Sequence, residues 1–138
     1  MVNTAQDKPI ILIIDDTPSN ITLMSGILNN AYKVKAATNG KKGLDIAATS
    51  PLPDLILLDI MMPEMDGYQV CDVLKKSTAT SDIPVIFLTA KNESEDEEKG
   101  LKMGAVDYIT KPVSPPIALS RIASHVALFR QTKALIES

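Results

Sequence analysis

The sequence predicts an α/β domain built on a small, doubly wound parallel sheet, and three observations lead to this fold class. Short apolar runs alternate with longer amphipathic stretches, as expected for repeated βα units. The runs are mostly continuous in apolar character, which is typical of strands covered by helices on both faces. The chain has 138 residues, of which 45% are hydrophobic, enough to bury one sizeable core but hardly two.

Five apolar runs are the candidate strands, and they are well separated along the chain. They are Ile10–Ile14, Val34–Ala37, Leu55–Leu58, Val85–Leu88 and Tyr108–Ile109. Five strands are enough for a small doubly wound sheet.

Between the first four strands, apolar residues recur with the 3.6-residue period of a helix. One helical face consists of Ile21, Met24, Leu28 and Ala31, and another of Val70, Cys71 and Leu74 in a segment that begins at Asp66 and Gly67. Residues 40–48 predict a weaker helix that closes before Pro51, because the residue before a proline disfavours helical backbone.

Two more helices complete the pattern. Residues 93–103 open with several acidic side chains, which suit the amino end of a helix. The last helix should start near Pro115 or Pro116, since proline is tolerated in the first turn. Its apolar face consists of Leu119, Ile122, Val126 and Phe129.

Composition excludes several classes of protein. The net charge of −3 and pI near 5.1 argue against binding nucleic acid through bulk electrostatics. A single cysteine, Cys71, rules out an internal disulfide and is best explained as a small core residue. The amino terminus lacks a secretory signal and the apolar runs are too short to cross a bilayer, so we expect a cytoplasmic protein with no membrane contact.

Polar residues close four of the five strands. Asp15 and Asp16 close the first, Asp59 the third, Thr89 the fourth and Lys111 the fifth. Ligands of open α/β sheets bind outside the carboxyl ends of the strands. The sequence therefore predicts that three carboxylates, a hydroxyl and an amine meet at one edge of the sheet.

Each residue alone has an ordinary structural interpretation. Asp16 or Thr17 before Pro18 is typical of a helix cap, and Asp66 with Gly67 is more typical of a cap than of a ligand. Asp59 alone could be a loop residue. The joint placement at one sheet edge is what indicates a functional site.

Clustered carboxylates repel one another, and a bound cation resolves that conflict. Oxygen ligands without histidine or cysteine favour magnesium over zinc. A carboxylate can attack phosphorus to form an acyl phosphate while nearby positive charge stabilises the transition state. We therefore predict that Asp59 is the nucleophile, with Asp15 and Asp16 holding the metal.

In the same scheme, Lys111 pairs with a phosphoryl oxygen, and the Thr89 hydroxyl donates a hydrogen bond to another. The lone His125 on the last predicted helix is more typical of a packing or surface residue than of a phosphate relay.

Four segments, ILIIDDTPSN, DLILLDIMMPEMDGY, PVIFLTA and GAVDYITKP, resemble the successive signature segments of bacterial response-regulator receiver domains. The resemblance spans roughly residues 10–130 and departs from the family pattern at Val106, which lies outside the site. It implies a flavodoxin-like (βα)5 fold with strand order 2-1-3-4-5. It predicts a receiver domain over residues 9–131, with a polar tail at 1–8 and a helix end or linker start at 132–138.

The resemblance also implies roles residue by residue. Metal binding falls to Asp15, Asp16, Asp59 and the backbone carbonyl of Met61, and Tyr108 occupies the aromatic switch position. Thr89 and Lys111 touch the phosphoryl group, and the Lys111–Pro112 bond should be cis.

The function implied is that of a phosphoacceptor in two-component signalling rather than of a turnover enzyme. Its phosphoryl donor would be a histidine kinase or a phosphotransfer protein, with Mg²⁺ as cofactor. The output partner would bind the face formed by the fourth helix, fifth strand and fifth helix. Formation of a homodimer is left undecided by the sequence. No output domain accompanies the predicted receiver in this sequence, so a stand-alone protein and an excised domain fit equally.

Three alternatives differ in class. A haloacid dehalogenase phosphatase needs a second acid two residues after its nucleophile, where this chain has Met61. A flavin carrier would need a glycine-rich phosphate loop after the first strand, and the acids there would repel a phosphate. A degenerate receiver acting as a constitutive protein-binding module would have lost an acid, Thr89 or Lys111, and none is lost.

Overall fold

The computed structural model describes residues 8–90 and 94–137, in which five strands and five helices alternate. The strands are β1 (Ile10–Ile14), β2 (Lys33–Ala37), β3 (Leu55–Asp59), β4 (Val85–Ala90) and β5 (Asp107–Lys111). The helices are α1 (Pro18–Leu28), α2 (Gly40–Ala47), α3 (Gly67–Lys76), α4 (Ser94–Lys102) and α5 (Pro115–Glu137). In this part of the chain no helix is both long and apolar enough to span a membrane.

All five strands run parallel in one sheet with the order β2-β1-β3-β4-β5. The predicted fold class and strand order are therefore confirmed. The order reverses beside β1, since β2 lies on one side of it and β3 on the other. Loops that leave β1 and β3 consequently diverge to opposite faces and open a crevice at the carboxyl ends of these strands.

Two apolar layers hold the helices against the sheet. One layer packs α2 and α3 against the face that carries Ile14, Leu58 and Phe87. The other packs α1 and α5 against the face that carries Ile13 and Leu57. Every residue of β1 and β3 is buried, as the continuous apolar runs predicted.

The predicted apolar faces were wrong at two positions. Ala31 lies beyond the end of α1 and is exposed, and Tyr32 is buried in its place. Leu119 is 36% exposed, whereas Ala118 is fully buried beside Ile122. Residue 118 is one full turn from residue 122, and its small side chain lets α5 lie close to the sheet.

The element boundaries differ from the prediction mainly at strand ends. Asp59, Thr89 and Lys111, which follow the predicted apolar runs, belong to the strands themselves. The last helix starts at Pro115 and the Lys111–Pro112 bond is cis, both as predicted. The expected start of the fourth helix at Glu93, the tail at residues 1–7 and Ser138 lie outside the described residues.

A buried carboxylate joins α5 to the amino ends of two strands. Asp54, which precedes β3, accepts a hydrogen bond from the backbone N–H of Ile10 at 2.8 Å and another from Nε of Arg130 at 3.1 Å. This contact lies at the sheet edge opposite the strand ends that carry the polar residues.

Gly67 allows α3 to begin against the end of β3. Its N–H donates to the carbonyl of Ile60 at 2.9 Å. A Cβ at this position would lie 2.4 Å from the carbonyl oxygen of Asp59, far inside van der Waals contact. The helix start and the end of β3 therefore fit together only because residue 67 has no side chain.

We predict that Gly67→Ala lowers the free energy of unfolding by about 1–3 kcal/mol, because the added methyl group must displace backbone. Gly26→Ala is the matched control. Gly26 lies inside α1, and a methyl group added there would meet nothing within 4 Å, so alanine should stabilise by about 0.5–1 kcal/mol. Urea denaturation of the two variants measures both effects, and equal changes would contradict the packing argument.

Candidate functional site

Three aspartates converge at the carboxyl ends of β1 and β3. Asp15, Asp16 and Asp59 each offer a carboxylate oxygen, and these oxygens lie within 4.8 Å of one another. The convergence follows from the sheet, because β1 and β3 are neighbours with Ile14 aligned to Leu58. Asp15 is fully buried and Asp59 is 5% exposed, so water screens their mutual repulsion poorly.

Asp15 is held in place by the first residues of the following segment. Its Oδ1 accepts a hydrogen bond from the backbone N–H of Thr17 at 2.9 Å. The side-chain nitrogen of Asn20 lies 3.3 Å from Oδ2 and 3.4 Å from Oδ1. Thr17 is the N-cap of α1 but makes no side-chain cap bond, so the predicted capping role of residues 16–17 is not what orders this turn.

Asn20 is a site residue that the sequence reasoning missed. The available signal was its position: it lies in the first turn of the helix that leaves the Asp15–Asp16 pair, so its side chain can turn back toward the strand end. An amide also suits this place, because it donates to a carboxylate without adding charge.

Lys111 reaches the aspartates from the end of the edge strand β5. Its Nζ lies 3.1 Å from Asp59 Oδ1 and 3.3 Å from Asp15 Oδ2. Burial lowers the pKa of Lys111, but attraction to Asp59 and Asp15 outweighs burial and leaves the pKa above its usual value. The side chain therefore stays a full cation at the centre of the cluster.

Asp59 has an unusually high pKa for an aspartate, about 6 instead of 3.8. Burial is the largest cause, and repulsion by Asp15 adds to it. Lys111 opposes both effects through its charge and its hydrogen bond, and Asp16 adds a smaller repulsion. Within the described part of the chain, the Lys111 ammonium group alone is thus too little positive charge for the three clustered carboxylates.

Thr89 and Tyr108 occupy the same face of the sheet. Thr89 lies two residues after Phe87 on β4, and Tyr108 on β5 is aligned with Phe87. Because alternate strand residues share a face, both side chains project to the side covered by α3 and α4. Thr89 is 1% exposed, and among residues 8–90 and 94–137 its Oγ1 has no hydrogen-bond partner. Tyr108 is half-buried.

The donor set fits a hard divalent cation. It consists of oxygen atoms only, since the single cysteine of the sequence is in the α3 core and the single histidine is on α5. Hard ions such as Mg²⁺ prefer carboxylate and carbonyl oxygens. Met61 follows β3, and because its thioether side chain has no oxygen atom, only its backbone carbonyl could add an oxygen ligand.

A helix cap and a cavity stand apart from this cluster. Asp66 caps α3, accepting from the N–H of Gln69 at 2.9 Å in a full capping box, as its structural interpretation predicted.

A cavity of about 480 Å³ lies at the opposite edge of the sheet, between the amino ends of β3 and β4 and the second half of α5. It shares no lining residue with the aspartate cluster.

Comparison with known proteins gives one consistent family. A sequence profile of the response regulator receiver domain matches residues 11–123. The chain is 50% identical over 126 residues to a probable cyclic di-GMP phosphodiesterase from Vibrio cholerae, covering 91% of this chain and 28% of that protein. It is 42% identical over 115 residues to the response regulator PleD from Caulobacter vibrioides, covering 83% of this chain and 25% of that protein.

Solved structures agree. The signal receiver domain of a signal transduction histidine kinase from Syntrophus aciditrophicus is 34% identical with a TM-score of 0.77, covering 86% of this chain and 90% of that one. A Francisella response regulator receiver domain is 30% identical with a TM-score of 0.78, covering 90% and 98%. The chain thus spans about a quarter of the two curated relatives above but nearly all of these solved domains.

The raised pKa of Asp59 predicts a pH-dependent stability difference. Between pH 3.8 and about 6, the metal-free folded protein keeps a proton that the unfolded chain has released, so the free energy of unfolding falls as pH rises through this window. Asp59→Asn removes this penalty. It should stabilise the metal-free protein by about 2–3 kcal/mol above about pH 7 and by almost nothing near pH 4.

Urea denaturation in a chelating buffer at the two pH values measures this difference. An equal gain at both pH values would mean that the amide improves packing rather than relieving charge.

Proposed function

Because the chain belongs to the family of response regulator receiver domains, which operate in two-component signalling, we propose that it accepts a phosphoryl group on Asp59 in a Mg²⁺-dependent reaction. The observation that carries the proposal is the convergence of Asp15, Asp16, Asp59 and Lys111 at one sheet edge. The protein then acts as a phosphoacceptor that changes conformation, not as an enzyme that turns over an external substrate.

In this proposal a carboxylate oxygen of Asp59 attacks the phosphorus of the donor. A P–O bond to Asp59 forms while the bond from phosphorus to the donor breaks, so the product is an acyl phosphate. The donor is the phosphohistidine of a histidine kinase or of a phosphotransfer protein, and the imidazole leaves. Lys111, already in contact with Asp59, pairs with a phosphoryl oxygen as negative charge is transferred.

Asp15, Asp16, Asp59 and the carbonyl of Met61 would hold the magnesium ion. When bound, Mg²⁺ supplies the positive charge that lets the carboxylates and phosphoryl oxygens approach one another. The oxygen-only donor set and the excess of negative charge over Lys111 support this assignment. Asn20 helps by keeping the Asp15 carboxylate oriented.

Thr89 and Tyr108 would report the change. The Thr89 hydroxyl, which has no hydrogen-bond partner among the described residues, can donate to a phosphoryl oxygen. Movement of Thr89 would vacate space into which the Tyr108 ring turns. Their shared sheet face supports this coupling. The surface formed by α4, β5 and α5 would then change. An output domain or partner protein would bind this surface, and it is also the surface available for a homodimer.

The alternative of a degenerate receiver that binds partners constitutively is disfavoured by the same geometry. Clustering three carboxylates around Lys111 is electrostatically unfavourable, and a domain that only binds partners gains nothing from it. The family match likewise disfavours the phosphatase and flavin-carrier alternatives, and Met61 leaves the general-acid position of a phosphatase without an acid.

Intact mass spectrometry after incubation with acetyl phosphate and Mg²⁺ tests the nucleophile. The wild-type protein should gain one phosphoryl mass, and Asp59→Asn should gain almost none, because an amide cannot form the acyl phosphate. Asp66→Asn is the matched control: it changes the capping aspartate seven residues away and should label like the wild type. Full labelling of Asp59→Asn would refute the assignment.

Asp16→Ala should weaken Mg²⁺ binding by about tenfold or more while leaving the fold intact, because it removes a ligand and also relieves repulsion. Glu64→Gln removes an exposed charge from the loop after β3 and controls for the loss of net negative charge. The sequence has no tryptophan, so isothermal titration calorimetry is the suitable measurement. Equal titration curves for Asp16→Ala and wild type would count against the proposed ligand set.

A further inference from the structure

A second polar cluster links β5 to α5, outside the aspartate site. Asp107 is its centre, and two side chains one helical turn apart on α5 reach it. His125 Nε2 lies 3.0 Å from Asp107 Oδ2, and Arg121 Nη1 lies 3.7 Å from Asp107 Oδ1. The Asp107 side chain also accepts from the backbone N–H of Tyr108 at 2.8 Å. The cluster thus surrounds the backbone of the residue assigned to the switch.

Arg121 is anchored by groups that do not belong to the Tyr108 ring. Its Nη1 donates a hydrogen bond to the Tyr108 backbone carbonyl, and the Asp107 carboxylate lies on the same side. Asp107 is itself fixed by His125 and by the strand backbone. The guanidinium group is therefore held in place whichever way the Tyr108 ring turns.

The same guanidinium group lies over the Tyr108 ring, with Cζ 5.4 Å from the ring centroid. This distance is within the range of an attractive cation–π contact. A ring that turns inward leaves the contact, and Arg121 cannot follow because its two anchors stay behind. The contact therefore stabilises one position of the ring and not the other, as a bias on a two-state equilibrium requires.

We infer that Arg121 is a positioning residue that holds the Tyr108 ring in its observed, half-buried position and so opposes the phosphorylation-dependent switch. This inference rests on the proposed function. Asp107 and His125 take part by fixing the guanidinium group. His125, a packing or surface residue from sequence alone, acquires a role in this arrangement.

The test compares wild type with Arg121→Met, which keeps a long apolar stem but removes the charge. Arg121 is 37% exposed at its side chain, so the variant should fold. With Mg²⁺ present, its apparent affinity for beryllofluoride, a phosphoryl mimic, should rise about two- to fivefold, since a contact of this kind biases the equilibrium by that factor. The NMR signals of the Tyr108 ring in the unliganded variant should move toward their positions in the beryllofluoride-bound wild type.

Three further variants distinguish positioning from a general structural effect. Arg121→Lys keeps a cation without the planar fork and should restore part of the wild-type behaviour. Asp107→Asn keeps an acceptor for the Tyr108 N–H but loosens Arg121, so it should shift the equilibrium in the same direction by less. Arg130→Met removes another α5 arginine, the one that contacts Asp54, and should change stability without moving the Tyr108 signals.

The possible failures are separable. Absence of Asp59 labelling by acetyl phosphate in the wild type would remove the proposed function and the inference with it. If Asp59 is labelled and the wild-type Tyr108 signals respond, unchanged affinity and signals in both Arg121→Met and Asp107→Asn would overturn the inference alone. An affinity gain in Arg121→Met that persists in a Tyr108→Ala background would also overturn it, because the effect would not pass through the ring.

Discussion

Repulsion among three carboxylates at the end of a parallel sheet is the constraint around which this molecule is arranged. The strand order makes β1 and β3 neighbours, so Asp15 and Asp59, which follow aligned residues on the two strands, lie close together. Burial removes the water that would screen them, and Lys111 offsets only part of the conflict. Added positive charge would therefore lower the electrostatic energy of this site. The proposed phosphoryl acceptance on Asp59 depends on this property, which arises from the strand order.

Much of the architecture could be predicted from the sequence because the signals were local. Short apolar runs predicted all five strands, although the β2 run is interrupted by Lys35. The polar residues that follow these runs predicted the positions of Asp15, Asp59 and Lys111 in the site. Strand order came from a family resemblance rather than from periodicity. The predicted buried face of the last helix was wrong at Leu119, because the neighbouring Ala118 is the residue that packs against the sheet. Which of two adjacent residues is buried depends on how closely the helix approaches the sheet.

Asn20 was missed although its contact with Asp15 is local, five residues along the chain in the first turn of α1. The other missed features are created by tertiary proximity. Arg121 and His125 meet Asp107 only because α5 returns along the edge of β5. Charged and polar residues on an amphipathic helix are usually solvated, so no local pattern separates these side chains from ordinary surface residues. Their contacts depend on the fold and cannot be read from spacing within one segment.

The close approach of Gly67 to the end of β3 has a consequence for protein engineering. A designer who transplants the aspartate site onto another scaffold would naturally copy the charged residues and the strands that carry them. That copy would be incomplete, because the carbonyl of Asp59 abuts the first residue of α3. The space left by a missing side chain is as much a component of the site as the carboxylates, although a list of functional groups would never contain it.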